Sequence, residues 1–203
     1  GSFDWEEVDP EDPFSGIGYW GDHQIIYLLR LLEALQAHDP KVLDKWLNDA
    51  LFVSANVPYR IKPLEAIFKN PRSTIIFDTE LSKSLRLKEQ SEGYDGLLLK
   101  DASDKTYKAV LIEKLLIPAL VKLSNFVPGG GIWMNTERPE WNDANNALVG
   151  NGLSMVTTGY LLRYVRFCRN WWSQISDTQT IDMSSAVADF VQALTDIFDQ
   201  PSQ

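Results

Sequence analysis

Residues 22–37, DHQIIYLLRLLEALQA, are apolar on nearly every side of a helix, through Ile25, Ile26, Leu28, Leu29, Leu31, Leu32 and Leu35. A helix of this kind is stable only when other helices cover most of its surface. The surrounding chain must therefore supply helical partners. A mainly α fold is expected.

Several stretches qualify as partners. Asp39 followed by Pro40 is a helix-start signal, a side-chain cap and then proline at the first helical position. The helix it predicts runs to about Phe52 and places Val42, Leu43, Trp46, Leu47 and Ala50 on one face. A helix is predicted over 79–91, ended by Gly93. Another spans about 106–125, with Val110, Leu111, Leu115, Leu120 and Leu123 on a wide apolar face and Pro118 expected to kink or split it. Buried helices follow over 153–173 and 184–199, the last with a 3.6-residue stripe of Val187, Phe190, Val191, Leu194, Ile197 and Phe198. Between them, "NVPYRIKP" is extended by its prolines, and "STIIF" reads as a short strand or buried turn. "YDGLLL" carries an Asp-Gly turn signal for a small hairpin. The pattern is one of helical hairpins with functional loops at one end.

With 203 residues, 44% of them hydrophobic, the chain can bury one substantial core or two small ones. Residues 1–15, acidic from Asp4 to Asp12 and carrying Pro10 and Pro13, read as a tail or linker on which Phe3 and Trp5 are candidates to dock. Residues 16–203 read as a single helical domain. Gly1 and Ser2 look like the remnant of a cleaved tag. No apolar run approaches the roughly 18 residues of a membrane span. A net charge of −9 argues against a nucleic-acid partner and serves solubility, with the cytoplasm the favoured compartment. Cys168, the single cysteine, lies in an apolar helical pattern and reads as a buried inert thiol. His23 and His38 lack the spacing of a histidine metal site, and no metal is expected.

The densest chemistry lies in residues 127–152, VPGGGIWMNTERPEWNDANNALVGNG, a long loop between two helices. Loops of that length in a compact domain are usually functional or disordered, and the tryptophans argue against disorder. A glycosidic bond breaks through an oxocarbenium-like transition state that needs a proton from a positioned carboxylic acid. The sugar's hydroxyls need fixed donors and acceptors, and its C–H faces need an aromatic platform. Asn142, Asn145 and Asn146 offer both donor and acceptor, Arg138 offers donors, and Trp133 and Trp141 offer flat apolar surfaces. A carboxylate beside Trp141 would be partly desolvated and its pKa raised, which suits Asp143 to the role of acid. The plain alternatives are solvated loop charges for Glu137 and Glu140, a helical-turn cap for Asp143, and backbone turns for the asparagines.

A second cluster, "GYWGDHQ", places Tyr19, Trp20 and Asp22 where a glycine loop enters the first helix. Asp22 is suited to capping that helix, or to sharing a sugar pocket with the long loop. In "VPYR", Tyr59 and Arg60 are weaker candidates for the border of that pocket, with a surface ion pair the alternative for Arg60.

The segment "EWNDANNALVGNG" resembles the Trp-Asn-Asp-Gly-x-Asn-x-x-Gly segment of cellobiose phosphorylase and its relatives, inverting enzymes with an (α/α)6 barrel. "GIGYWGDHQ" is similar to that family's Gly-Tyr-Arg-Asp-x-x-Gln segment. The whole chain resembles part of large bacterial proteins loosely described as cellobiose phosphorylase-like. The resemblance implies that Asp143 is the general acid and that Asp22 helps bind the sugar before the cleaved bond. It also admits inorganic phosphate as co-substrate. Three departures stand out: Ala144 replaces a glycine, Trp20-Gly21 stands in place of the arginine, and no histidine follows His38 to match the family's phosphate-binding histidine. Hydrolysis and phosphorolysis both stay open. An inverting hydrolase would need a base about 6.5–9.5 Å from the acid, for which Asp22, Glu137 and Glu140 are candidates. About six or seven helices are expected, against twelve in a full barrel. The piece is therefore expected to be an incomplete (α/α) barrel, either catalytic, a non-catalytic carbohydrate-binding module, or an interaction domain docked to the rest of a larger polypeptide.

Overall fold

The computed structural model describes residues 21–70, 73, 75–134, 151–175 and 179–200, with the backbone alone described for 21–24 and Tyr59. Among them are six α-helices: α1 (Gly21–His38), α2 (Leu64–Lys69), α3 (Thr79–Glu92), α4 (Leu111–Leu123), α5 (Met155–Trp172) and α6 (Ser185–Phe198). Two 3-10 turns, Asp44–Trp46 and Gly93–Leu97, accompany them. Strands β1 (Tyr59–Ile61) and β2 (Ile75–Phe77) pair antiparallel, and β3 (Phe126–Val127), β4 (Gly131–Trp133) and β5 (Leu153–Ser154) form a second antiparallel sheet in that order. The chain is mainly helical, as its periodicity predicts.

The core is built from one stripe on each of three helices, at the three- and four-residue spacing that puts side chains on one face. Ile25, Leu29 and Leu32 come from α1, Leu111, Ile112, Leu115 and Ala119 from α4, and Leu161, Tyr164, Cys168 and Trp171 from α5, joined by Leu43, Leu47 and Ile132. The predicted all-round burial of the first helix is corrected. Tyr27 is 60% and Leu31 54% exposed, on the side turned away from the core.

Local contacts between distant residues fix the helix directions. Arg163 of α5 forms an ion pair with Glu33 of α1, and Trp171 Nε1, eight residues on, donates to Asp44 Oδ1 at 2.8 Å. Both chains advance the same way, so α1 and α5 run parallel. Glu113 at the start of α4 meets Ser184 at the start of α6, and the rings of Phe126 and Phe198, beyond or at their far ends, are 6.2 Å apart. These two helices are parallel as well. The sheet after α4 abuts the first turns of α5, where Ile132 N–H donates to Thr158 Oγ1 at 3.0 Å. The α4/α6 pair therefore runs opposite to the α1/α5 pair.

Of two predicted helices, the one expected from Asp39 to about Phe52 is absent and the one expected over 106–125 is shortened. Asp39 does accept from Lys41 N–H at 3.0 Å, but only a turn and the 3-10 segment follow, and no helix reaches Phe52. Phe52 instead exchanges backbone hydrogen bonds with Ala109 at 3.0 and 2.7 Å. The same bridge, with Tyr107 N–H to Leu99 C=O at 2.8 Å, holds 106–110 extended, so α4 begins at Leu111 rather than near 106. Pro118 sits inside α4 without splitting it; its ring costs the helix one backbone bond in a buried setting. The hairpin expected at "YDGLLL" is displaced. That segment is the second 3-10 turn, and the reversal comes at 100–106, where Lys100 bridges Thr106 and Asp101 N–H donates to Lys105 C=O. The stretch around Ile67, absent from the predicted helices, forms α2. Helices α3, α5 and α6 begin where expected, each behind a side-chain cap: Asp78, Ser154 and Ser184 accept from the N–H of Leu81, Thr157 and Val187.

Candidate functional site

The predicted loop over 127–152 is not continuous loop. Its first part folds back as β3 and β4 through a turn at 127–130, closed by Gly130 N–H to Val127 C=O at 3.0 Å. Pro128 takes the second position and Gly129, at φ +73°, the third, which is the residue order of a type II turn. Just beyond its end, the first two residues of the range predicted as helix, Leu153 and Ser154, pair as β5. Ile132 lies opposite Ser154 and Trp133 opposite Leu153, and Met134 N–H donates to Gly152 C=O at 3.0 Å. Met134 and Gly152, on either side of 135–150, thus lie next to each other. The cost of closing the intervening segment is met at its base by this ladder.

Thr158 locks the base to α5. Its hydroxyl accepts from Ile132 N–H at 3.0 Å and donates to Ser154 C=O at 2.7 Å. Ser154 in turn caps α5 through Thr157 N–H at 3.1 Å, and its hydroxyl lies 2.7 Å from that of Thr157. Trp133 is half-buried at the end of β4, with the Phe68 ring of α2 6.1 Å away at 40°. Arg60 is exposed at the centre of β1, opposite Ile76, three residues before the Pro63 that precedes α2. Phe68 therefore ties the part of the chain carrying Arg60 to the strand carrying Trp133. A lone phenylalanine in "LEAIFK" carries no local sign of that contact.

Asp22 lies in the first turn of α1. Because α1 and α5 are parallel, that turn stands at the same end of the molecule as the start of α5 and the β4–β5 ladder. The ends of the segment 135–150 and the helix turn bearing Asp22 thus share one end of the helix array. Tyr19, Trp20, Glu137, Arg138, Glu140, Trp141, Asn142, Asp143, Asn145 and Asn146 lie outside the described residues, as does the tail 1–15.

Among the described residues no three side chains of His, Cys, Asp or Glu are grouped to hold a metal ion, and no helix is long and apolar enough to cross a membrane. Burial pushes the Cys168 thiol up to about 12, so it is un-ionised at neutral pH and does not serve as a nucleophile. The buried polar chemistry at the opposite end is structural. Glu113, 2% exposed, accepts from the Tyr107 hydroxyl at 2.9 Å and from Ser184 N–H and Oγ at 3.1 and 2.9 Å. The Tyr107 hydroxyl has its pKa raised, first by burial and then by this bond to a carboxylate.

No protein-family model and no curated protein matches the chain.

Proposed function

We propose that the chain is a carbohydrate-active domain that protonates a glycosidic oxygen with Asp143. Asp22, Tyr19, Trp20, Arg60, Trp133, Arg138, Trp141 and the three asparagines grip the saccharide, and Glu137 and Glu140 are the further candidates for the base. The observation that carries this reading is the sharing of one end by the Asp22 turn, Trp133 and both feet of the segment 135–150. The described elements that adjoin these two stretches, more than a hundred positions apart in the chain, stand at that one end.

The helix directions support the finer architecture. In an (α/α) barrel each layer consists of parallel helices and the two layers run in opposite senses. The α1/α5 and α4/α6 pairs have this relationship, so the chain is read as an arc of such a barrel. A saccharide is its ligand, inorganic phosphate a co-substrate if the reaction is phosphorolysis, and the remainder of a larger polypeptide the element that would complete the arc.

The test is turnover of a panel of glycosides, with and without phosphate, by the chain and by Asp143→Asn. A loss of at least about a hundredfold, the usual scale of general acid catalysis, is expected with an unchanged thermal midpoint. Equal turnover by the two proteins removes Asp143 from the reaction. Calorimetric sugar binding with no cleavage by either would assign the chain to carbohydrate binding alone.

A further inference from the structure

Helix α5 is the only one of the six described α-helices that carries basic residues and no acidic one, in a chain of net charge −9. Its buried stripe, Thr157, Leu161, Tyr164, Cys168 and Trp171, is complete. The opposite face is exposed and is not the usual solvated surface. Met155, Val156, Leu162 and Val165 are 65%, 67%, 50% and 37% exposed, and Arg166 and Arg169 stand among them. In the middle lies Gly159, where an added Cβ would meet nothing within 4 Å. A helix surface lacking a side chain there, with Met155, Val156 and Leu162 one turn away on either side, offers a shallow apolar seat for a ring.

The complement is in the same chain. Residues 3–14, FDWEEVDPEDPF, hold six carboxylates, no base, and the aromatic side chains Phe3, Trp5 and Phe14. They precede α1, which starts at the same end as α5. Parallel packed helices lie about 8–10 Å apart, and the six residues 15–20 extend to about 20 Å, enough to cross from one to the other. The twelve residues 3–14 reach about 40 Å when extended, and α5, at 18 residues, is about 27 Å long. We infer that the exposed face of α5 is the docking surface for this acidic segment, with an aromatic ring over Gly159 and carboxylates against Arg166 and Arg169. The apolar seat is shallow, so the opposed charges, which salt screens, hold the segment in place and the ring sets its register.

The test uses the full chain with Ser2→Cys carrying a nitroxide spin label, Cys168 being buried and un-ionised and so left unlabelled. Amide signals of α5 from Met155 to Arg169 are expected to broaden at low salt and to recover at high ionic strength. The broadening should be lost in the full chain with Arg166→Glu and Arg169→Glu, helix content being unchanged. These two arginines are solvent-facing, and the salt titration on the unsubstituted face decides the matter should that variant fold poorly. Broadening of another surface, no broadening, or broadening that survives both salt and charge reversal overturns the inference. Broadening seen only between labelled and unlabelled copies in a mixed sample also overturns it and assigns the face to a second chain.

Discussion

The carboxylate of Glu113 is gripped by both the backbone N–H and the hydroxyl of Ser184, 71 positions later in the chain. Ser184 is at the same time the cap of α6, its oxygen accepting from Val187 N–H. One buried acid therefore fastens the start of α6 to the start of α4, and the Tyr107 hydroxyl closes the cluster from the extended segment before α4. A buried carboxylate is tolerated there because each oxygen is satisfied.

Removing that acid should be costly. Glu113→Ala leaves three donors facing a void, and a loss of about 2–4 kcal/mol is expected from unsatisfied polar groups and lost packing. Ser184→Ala retains the backbone donor and should cost about 1–2 kcal/mol through the cap and one hydrogen bond. Urea midpoints of the two variants check the order; a Glu113→Ala midpoint at or above that of Ser184→Ala would count against this account.

The two links that hold α5 to α1 and to the 3-10 turn after it should differ in weight. Arg163 and Glu33 form a bidentate but solvent-accessible pair, their side chains 49% and 29% exposed. Glu33→Gln is expected to cost at most about 1 kcal/mol, less in high salt. Trp171 is 2% exposed, fills the core and donates to Asp44. Trp171→Ala should cost about 3–5 kcal/mol. Thermal denaturation at two salt concentrations separates a screened effect from an unscreened one.

Alkaline pH should weaken the fold through the buried thiol. Burial raises Cys168 from 9.0 to about 12, so the unfolded chain releases this proton first. The stabilisation tied to the thiol is fully present below pH 9 and is lost as pH rises towards 12. Tyr164, also raised by burial, acts in the same sense at higher pH, whereas Lys114, lowered by burial, opposes it. The difference between the chain and Cys168→Ala isolates the thiol: the two stability curves should converge between pH 9 and pH 11. Parallel curves over that range would show that the thiol is not protected.

Gly96 is packed so closely on α3 that an added Cβ would lie 2.6 Å from the Lys88 carbonyl carbon and oxygen. Backbone cannot move aside as a side-chain tip can, so Gly96→Ala should cost about 2–3 kcal/mol. At Gly93 there is open space, but φ +68° and ψ −153° form a region essentially confined to glycine, so alanine should cost about 1–3 kcal/mol through backbone strain alone. Chemical denaturation of the pair distinguishes steric overlap from backbone strain.

Much of the helical framework is legible in the residues themselves. The predicted ranges of α3, α5 and α6, the last from its 3.6-residue stripe, agree with the structure, which adds the caps Asp78, Ser154 and Ser184, each acting within three residues. Such signals are local, and no distant partner is required to read them. The residue types of the candidate site, with Asp22 in the first turn of α1 and Asp143 beyond Trp133, are equally visible in the sequence. The tertiary structure decided where regular structure stops and which ends meet. The Phe52–Ala109 exchange holds both residues extended where helix was predicted, and the Met134–Gly152 bond joins the flanks of a supposed loop in a sheet. The parallel course of α1 and α5, set by Glu33–Arg163 and Asp44–Trp171, brought the Asp22 turn to the end where Trp133 stands. Each of these depends on hydrogen bonds between residues far apart in the chain, and local propensity carries no information about which distant partner will compete for the backbone.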